Sequence, residues 1–288
     1  MSLNLNEIIT NRMIEQLEQG EIPWTRPWTG VRSGAFNRVS KKPYSLLNQM
    51  LLLNKGEYAS YKQWSELGGQ VRKGEKSEIV VFWKPVKVTE KQDDGTETEK
   101  IVPLLRYNPV FHISQVDGVD PLPEEELKEI ETIDNIEEIL QNYIKRENIK
   151  LDQTKSNEAY YSPVRDMIHL PLREQFSNSA EYYSTFAHEA THSTGHKDRL
   201  KRLGNSIRLA AFGSEDYSKE ELVAELGSCM MLCQCGIETK NSFRNSAAYI
   251  QSWLKALRND KRLIVSAAGK ADKAVEFIIH GKKEVATA

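Results

Sequence analysis

Nothing in this sequence is long and apolar enough to cross a bilayer. The longest obvious run is Met50-Leu51-Leu52-Leu53, far short of the ~20 residues a spanning helix needs. Cysteine is scarce as well. The three present, Cys229, Cys233 and Cys235, sit close together, cannot build a disulfide framework, and fit a reducing cytosol. Their spacing is not that of a zinc ribbon, so they read as small buried hydrophobes. The stretch MSLNLNEIITNRMIEQ has neither a basic n-region nor an apolar h-region, so no secretion signal and a cytoplasmic location are expected. Internal repeats and low-complexity segments are missing too. Net charge is almost absent, at −2, but that small sum hides an uneven distribution.

What is present is ordinary soluble composition, 28% charged and 39% hydrophobic, over 288 residues, which is room for two cores. Between residues 22 and 87 there are twelve Lys and Arg against four Glu, a local excess of +8. Such a segment in an otherwise slightly acidic chain points to a polyanionic partner for the first half.

Apolar periodicity places a helix over 4–19, then an irregular Pro- and Gly-rich stretch, then short helices over 45–54 and 60–67. Gly56 reads as the stop of the first and Gly68-Gly69 as the stop of the second. IVVFWKPVKV, 79–88, is β-branched and aromatic and predicts a strand, with a polar turn near Asp94-Gly95 and further strand over 101–116. Asp120-Pro121-Leu122-Pro123 followed by three Glu is the linker candidate. Beyond it the pattern predicts a helix over 130–147, strands around a turn in 159–172, and helices over 218–235, 246–259 and 270–280. Another helix is expected to start at Asn178, a good N-cap with Glu181 at N3, and to end at Gly195 as a C′ residue.

That last helix carries FAHEATHSTGHKD, with His188, Glu189 and His192 in a His-Glu-x-x-His pattern. Histidines four apart on a helix lie about 40° apart around the axis and one turn apart along it, so both imidazoles reach one ion. Glu189 lies too far round to join them easily and is placed to take a proton from a water polarised by the metal. A helix with two buried, hydrogen-bonded histidines is the plainer alternative. A third ligand is needed. Glu221, in KEELVAELGS on a later helix flanked by Leu222, Val223, Ala224 and Leu226, comes first; Asp198 and Glu225 follow, and His196 is a further candidate. The second acid of the Glu221/Glu225 pair would orient a histidine from behind. Nitrogen and carboxylate donors favour Zn2+, with another divalent ion such as Mn2+ as the alternative.

In the first half, cations and aromatics interleave, as single-stranded nucleic acid requires. Trp24 and Trp28 flank Arg26; Phe36 and Tyr44 bracket Arg38, Lys41 and Lys42; Tyr61 and Trp64 bracket Lys62; Arg72 and Lys73 follow. The competing reading makes the tryptophans core and the cations solvated surface. For Trp83, inside the predicted strand, core is the expectation. For Trp24 and Trp28, in an irregular stretch, exposure is. No element looks built to read base edges, so single strands are expected over duplex.

As a set these motifs resemble the ArdC-type antirestriction family. The carrying residues are Ile22-Pro23-Trp24, Pro27-Trp28, Pro43-Tyr44-Ser45 with Asn48, Tyr61-Lys62-Gln63-Trp64, Gly68-Gly69-x-Val71-Arg72-Lys73-Gly74-Glu75 and Phe82-Trp83-Lys84-Pro85. In the second half they are His188-Glu189-x-x-His192-x-x-Gly195-His196, Phe212-Gly213-Ser214-Glu215, Glu220-Glu221-Leu222-Val223-Ala224-Glu225, Tyr249-Ile250-x-x-Trp253-Leu254 and Asn259-Asp260-Lys261. The resemblance implies an α+β protein: a small mixed α/β domain binding single-stranded DNA over 1–120, a linker at 121–129, and a mainly helical zincin-like metallopeptidase domain with a short sheet over 130–288. It implies protection of incoming plasmid DNA from restriction, with a restriction-modification subunit as one conceivable peptidase target. It favours Glu221 or Glu225 over Asp198 as third ligand. Two alternatives stay open: a purely DNA-binding factor with a structural metal site, and a cytosolic metallopeptidase whose basic half binds protein or RNA.

Overall fold

The computed structural model describes residues 4–19, 22, 34–91, 97–123, 136–203, 215–237 and 246–282. They form an α+β protein of two compact units. The first, the ribbon unit, holds residues 35–122; the second, the helical unit, holds the first helix from Asn6 onward and the described residues after 122.

The ribbon unit runs β1 (Ala35–Asn37), α2 (Leu46–Leu51), β2 (Gly56–Ala59), α3 (Tyr61–Glu66), β3 (Gln70–Val71), β4 (Glu78–Lys91), β5 (Glu97–His112) and β6 (Val116–Asp117), with α1 (Leu5–Glu18) preceding it in the chain. One sheet has the order β1-β2-β5-β4, with β1 parallel to β2 and the other neighbours antiparallel; β3 and β6 form a second, small sheet. β4 and β5 pair from Glu78↔Val110 to Lys91↔Glu97, a long two-stranded ribbon. The sheet's two edges would expose unpaired backbone groups. Adjacent buried amides on α2 satisfy part of both. Asn48 accepts from Val81 N at 2.7 Å and donates to Val81 O at 2.9 Å, while Gln49 accepts from Ala35 N at 2.7 Å and donates to Ala35 O at 2.8 Å. Ser60 and Gln63 form a capping box that starts α3.

Two small cores hold the unit. Leu52, Tyr58, Val80 and Val110 surround Ala35 in one; Trp64, Val71 and Val116 gather on Ala59 in the other. Trp64 is fully buried and its indole N–H donates to Phe111 O at 2.9 Å. Trp83 reverses its expectation: it is 50% exposed. The ribbon extends past the helices that cover its base, so apolar composition there does not mean burial. Gly56 does not stop α2, which ends earlier than expected at Leu51 with Leu52 as its C-cap; it opens strand β2, which together with β1 had no clear sequence pattern.

In the helical unit, α4 (Ile136–Arg146) is followed by β7 (Lys150–Thr154), β8 (Tyr160–Ser162), β9 (Met167–Pro171), α5 (Ser179–Thr194), α6 (Glu215–Gln234), α7 (Ser246–Asn259) and α8 (Leu263–His280). The three strands have the order β7-β9-β8, with β9 parallel to β7 and antiparallel to β8; every residue of β9 is buried, as befits a central strand. α4 buries Ile136, Leu140, Tyr143 and Ile144, one helix face. They join Tyr161, Ile168, Phe186, Leu232 and Phe277 in one core. The sequence reading missed β7, and α8 begins earlier than expected.

The sequence boundary at 120 falls beside the junction at 122, but the division is not strictly sequential. α1 buries Ile9, Met13 and Leu17, and Thr10 Oγ1 donates to Lys261 O at 2.7 Å while Lys261 Nζ donates to Asn11 Oδ1 at 2.8 Å. The helix therefore packs with the C-terminal half. The turn expected near Asp94-Gly95 and most of the linker lie outside the described residues.

Candidate metal centre and basic face

α5 starts as its sequence predicts: Asn178 Oδ1 accepts from Glu181 N at 2.9 Å. Its end differs from expectation. Gly195 is the C-cap itself and right-handed, at φ −73°. Glycine is needed for space instead, since a Cβ there would meet Leu203 Cγ at 2.9 Å and His192 O at 3.1 Å. Two arginines serve the helix's last carbonyls. Arg199 Nε donates to Ser193 O at 2.7 Å, and Arg202 Nη2 donates to Thr191 O at 2.8 Å. Cations at that end also complement the helix dipole.

α6 lies against α5. Gly227 permits close approach, because a Cβ there would stand 2.6 Å from Thr191 Cγ2. The crossing brings Glu221 to the two histidines. His188 Nε2 and His192 Nε2 are 3.1 Å apart; His192 Nε2 is 3.3 Å from Glu221 Oε1, and His188 Nε2 is 3.5 Å from Glu221 Oε2. Ligand atoms about 2.0–2.1 Å from a tetrahedral ion stand roughly 3.3 Å from one another, so the three donors already hold that spacing. His188, His192 and Glu221 form a group able to hold a metal ion, and the nitrogen–oxygen donor set suits a divalent cation.

Two further acids of α6, Glu220 and Glu225, lie on the opposite side of the rings. Glu225 Oε1 is 3.8 Å from His188 Nδ1, and Glu220 Oε1 is 3.6 Å from His192 Nδ1. Both distances are long for a hydrogen bond, and His192 Nδ1 is buried without a partner at bonding distance. Such placement is that of carboxylates orienting a metal-bound imidazole from behind. Glu220 is itself gripped by Arg202, at 2.8 Å from Nη2 and 3.3 Å from Nε. Sequence reasoning assigned no role to Glu220 or Arg202; the only signal was the adjacent acid pair at the start of the buried stretch. Asp198 is not part of the group. Its side chain is largely exposed, 3.4 Å from His196 Nδ1, and His196 lies outside the group as well.

The electrostatics are those of a buried cluster. Burial alone would depress His192, but Glu220 and Glu221 outweigh it and raise its pKa to about 10. Burial would raise Glu221, yet the two histidines hold its carboxyl well below the usual range. Burial dominates at Glu189 and Glu225 and pushes both carboxyls up. Glu189 is not among the convergent donors, and the Tyr161 backbone on β8 hydrogen-bonds it. Cys229 is buried with its thiol raised, as expected of a structural cysteine.

In the ribbon unit the residues expected to contact nucleic acid divide into groups. Trp24, Arg26 and Trp28 lie outside the described residues. Arg38 is tied to buried Glu57 and to Asp120 O, and Arg72 to Asp117, Glu75 and Ser114 O. Their guanidinium groups are engaged inside the unit. Lys41, Lys42 and Lys73 are exposed, the first two on a turn closed by Asn37, whose Oδ1 accepts from Val39 N and Ser40 N. Tyr44 and Lys62 line one cleft of about 490 Å³.

Comparison with known proteins agrees with this architecture. Residues 3–111 match the N-terminal domain of anti-restriction factor ArdC, and residues 138–270 match a zincin-like metallopeptidase domain. Two Escherichia coli proteins described as DNA primase TraC are each 34% identical over 95% of this chain, which spans only 20% and 27% of their lengths. The Sinorhizobium fredii protein y4eC is 30% identical over 96% of this chain and 91% of its own. The crystal structure of antirestriction ArdC from plasmid R388, metal-free, matches with a TM-score of 0.73 at 35% identity, covering 96% of this chain and 97% of that one. Its Mn(II)-bound structure matches with a TM-score of 0.72 at 32% identity. With both halves matched in order and a relative aligned over nearly its whole length, the chain belongs to the ArdC-type antirestriction family.

Proposed function

We propose that this chain is an antirestriction protein of a mobile element, acting in the cytoplasm, that binds single-stranded DNA through its ribbon unit and carries a zinc-dependent metallopeptidase-type site in its helical unit. The observation that carries the second half is the mutual spacing of 3.1–3.5 Å among His188, His192 and Glu221. The family membership and the basic, partly aromatic first half support the DNA-binding half. The relatives' plasmid associations support the setting. Among the described residues no helix is long and apolar enough to cross a membrane.

His188, His192 and Glu221 are the assigned ligands, with Zn2+ the expected ion and Mn2+ the alternative. When bound, the ion supplies Lewis acidity, acidifying water and polarising a carbonyl. Glu189 is assigned as general base. It lies beside the ligands rather than among them, and burial raises its carboxyl, a useful property in a group that must both take and give a proton. One of its oxygens takes the proton of the attacking water and later gives it to the leaving amine nitrogen. Glu225 and Glu220 keep His188 and His192 turned toward the site. A restriction-modification subunit is the substrate class that an antirestriction role implies.

Glu189→Gln tests the division of labour. Metal content and single-strand affinity should survive, while any peptidase activity should fall by about 10²–10⁴. Protection retained in this variant makes DNA binding the mechanism. Protection lost with DNA affinity intact assigns it to the metal centre. Loss of DNA affinity in this variant contradicts the proposal.

A further inference from the structure

We infer that the cleft between α3 and the base of the β4–β5 ribbon receives one unstacked base of a single DNA strand, with the next base stacked on Phe82; this rests on the DNA-binding reading above. The cleft, of about 490 Å³, has a volume typical of small-ligand sites and room for a nucleobase with its sugar. Its lining combines three chemistries that a nucleotide needs together.

The first is hydrogen bonding without a fixed sequence code. Asn37, Tyr44, Gln63 and Asn108 all line it. Asn37 Nδ2 donates to Tyr44 Oη at 3.3 Å, which leaves the Tyr44 hydroxyl proton unspent. Gln63 Oε1 accepts from Ser60 N at 2.9 Å, and its amide nitrogen has no partner among the described residues. Asn108 makes no side-chain hydrogen bond among the described residues. Tyr44, Gln63 and Asn108 present donors and acceptors of the kind found on a base's Watson–Crick edge. Asn37 and Asn48 also line the cleft but are spent inside the unit, Asn37 on Val39 N, Ser40 N, Tyr44 Oη and Gln63 Oε1, and Asn48 on Val81.

The second is a stacking face. Phe82 lines the cleft and is 41% exposed. Trp83, its neighbour, points to the opposite face of the ribbon because strand side chains alternate.

The third is cationic charge. Lys62 stands at the cleft and, among the described residues, is held only by an exposed 3.7 Å pair with Glu66, a contact weak enough to yield to a phosphate. Arg106 pairs with Phe82 across the ribbon, and Lys84 follows two residues on, so both extend the same face. A strand leaving the cleft past Phe82 would meet Arg106 and Lys84 in turn. A peptide would use the amides but has no need of a stacking ring flanked by cations.

The test is anisotropy of fluorescein-labelled oligothymidylate with the full chain in low salt. Phe82→Ala and Asn108→Ala alter exposed side chains, so melting temperature should hold. Phe82→Ala should weaken binding by about ten-fold, as for loss of one base stack. Lys62→Ala should reduce the slope of log K against log salt by roughly 0.7, as for one lost phosphate contact. Trp83→Ala, on the other face, should leave affinity near that of the wild type. The cleft is overturned if wild-type protein binds the oligomer but Phe82→Ala and Asn108→Ala bind as tightly, or if Trp83→Ala alone loses affinity. If the wild type itself ignores the oligomer, the DNA-binding reading fails and the cleft assignment with it.

Discussion

Phe82, Trp83 and Tyr107 in the ribbon unit are 41%, 50% and 42% exposed, whereas Glu189, His192 and Glu221 in the helical unit are at most 8% exposed. One unit sets apolar rings in water and the other sets ionisable groups out of it. Both arrangements cost free energy unless something compensates. Buried ionisable groups need partners of opposite charge or a cation, and the helical unit supplies the first and is shaped for the second. Exposed rings gain only when another apolar face covers them. The two units thus differ in character: one gathers ionisable donors at a buried point, and the other leaves apolar rings along an exposed ribbon.

The largest expected effect removes the convergence. His192→Ala should strip metal from the purified protein, measured by elemental analysis after dialysis. Chelation of the wild type should lower the thermal midpoint of the helical unit, because a ligand at about 100 times its Kd contributes roughly 2.7 kcal/mol. A ribbon unit melting separately should not respond. A midpoint unchanged by chelator in protein known to hold metal breaks the comparison.

Next comes the ion pair of Arg199 and Asp166, which ties α5's end to the turn before β9. Arg199 Nη1 donates to Asp166 Oδ2 at 3.0 Å, its Nη2 to Tyr161 Oη at 3.0 Å, and Tyr161 Oη donates to Asp166 Oδ1 at 2.7 Å. Asp166 sits at φ +45°, which Asn tolerates, so Asp166→Asn removes charge with little backbone strain. It leaves a buried guanidinium without its counter-charge and should cost about 2–3 kcal/mol in urea unfolding, less than a fully buried pair because Asp166 is partly exposed. The pH dependence has a definite sign. Burial pushes the Asp166 carboxyl up, but bonds from Arg199 and Tyr161 outweigh it and hold it below its usual 3.8. A depressed folded value stabilises above the unfolded pKa and is lost as pH falls through the folded one. Wild-type stability should therefore fall more steeply below about pH 4 than that of Asp166→Asn.

A smaller effect tests the helix crossing. Gly227→Ala forces α6 away from Thr191 and should cost about 1–2 kcal/mol while weakening metal uptake. Stability lost with metal affinity unchanged would show that the crossing does not set the ligand spacing.

The smallest effect is expected at the ribbon's surface pair. Lys87 Nζ is 3.1 Å from Glu99 Oε2, the same chemistry as the Arg199 pair but with both side chains mostly exposed. Lys87→Ala should change stability by less than about 0.5 kcal/mol. An effect equal to that of Asp166→Asn would mean that burial is not what separates the units.

How far the sequence could be read follows the same division. The His188/His192 pair, the Asn178 cap and the long helices were legible because they depend on neighbours within a turn or two. β1, β2 and β7 were not, because a strand of a few residues is defined by its partners more than by its own pattern. Trp64 and Trp83 show the limit most clearly. Trp64 stands among Lys62, Gln63, Ser65 and Glu66 yet fills a core, while Trp83 follows Ile79-Val80-Val81-Phe82 yet faces water, so local composition pointed the wrong way at both and only tertiary packing set their burial.

By itself, the amino-acid sequence determined what local spacing can encode: two histidines on one helix face, a glutamate beside them, an acidic pair on a later helix, and a cationic, aromatic first half. The tertiary structure decided the rest. It placed Glu221 at the shared side of the imidazoles and Glu220 and Glu225 behind them, spent Arg38 and Arg72 on internal carboxylates, and packed α1 with the C-terminal half. These outcomes depend on helix crossings, strand register and contacts between residues far apart in the chain, and no periodicity along a sequence specifies where two helices meet.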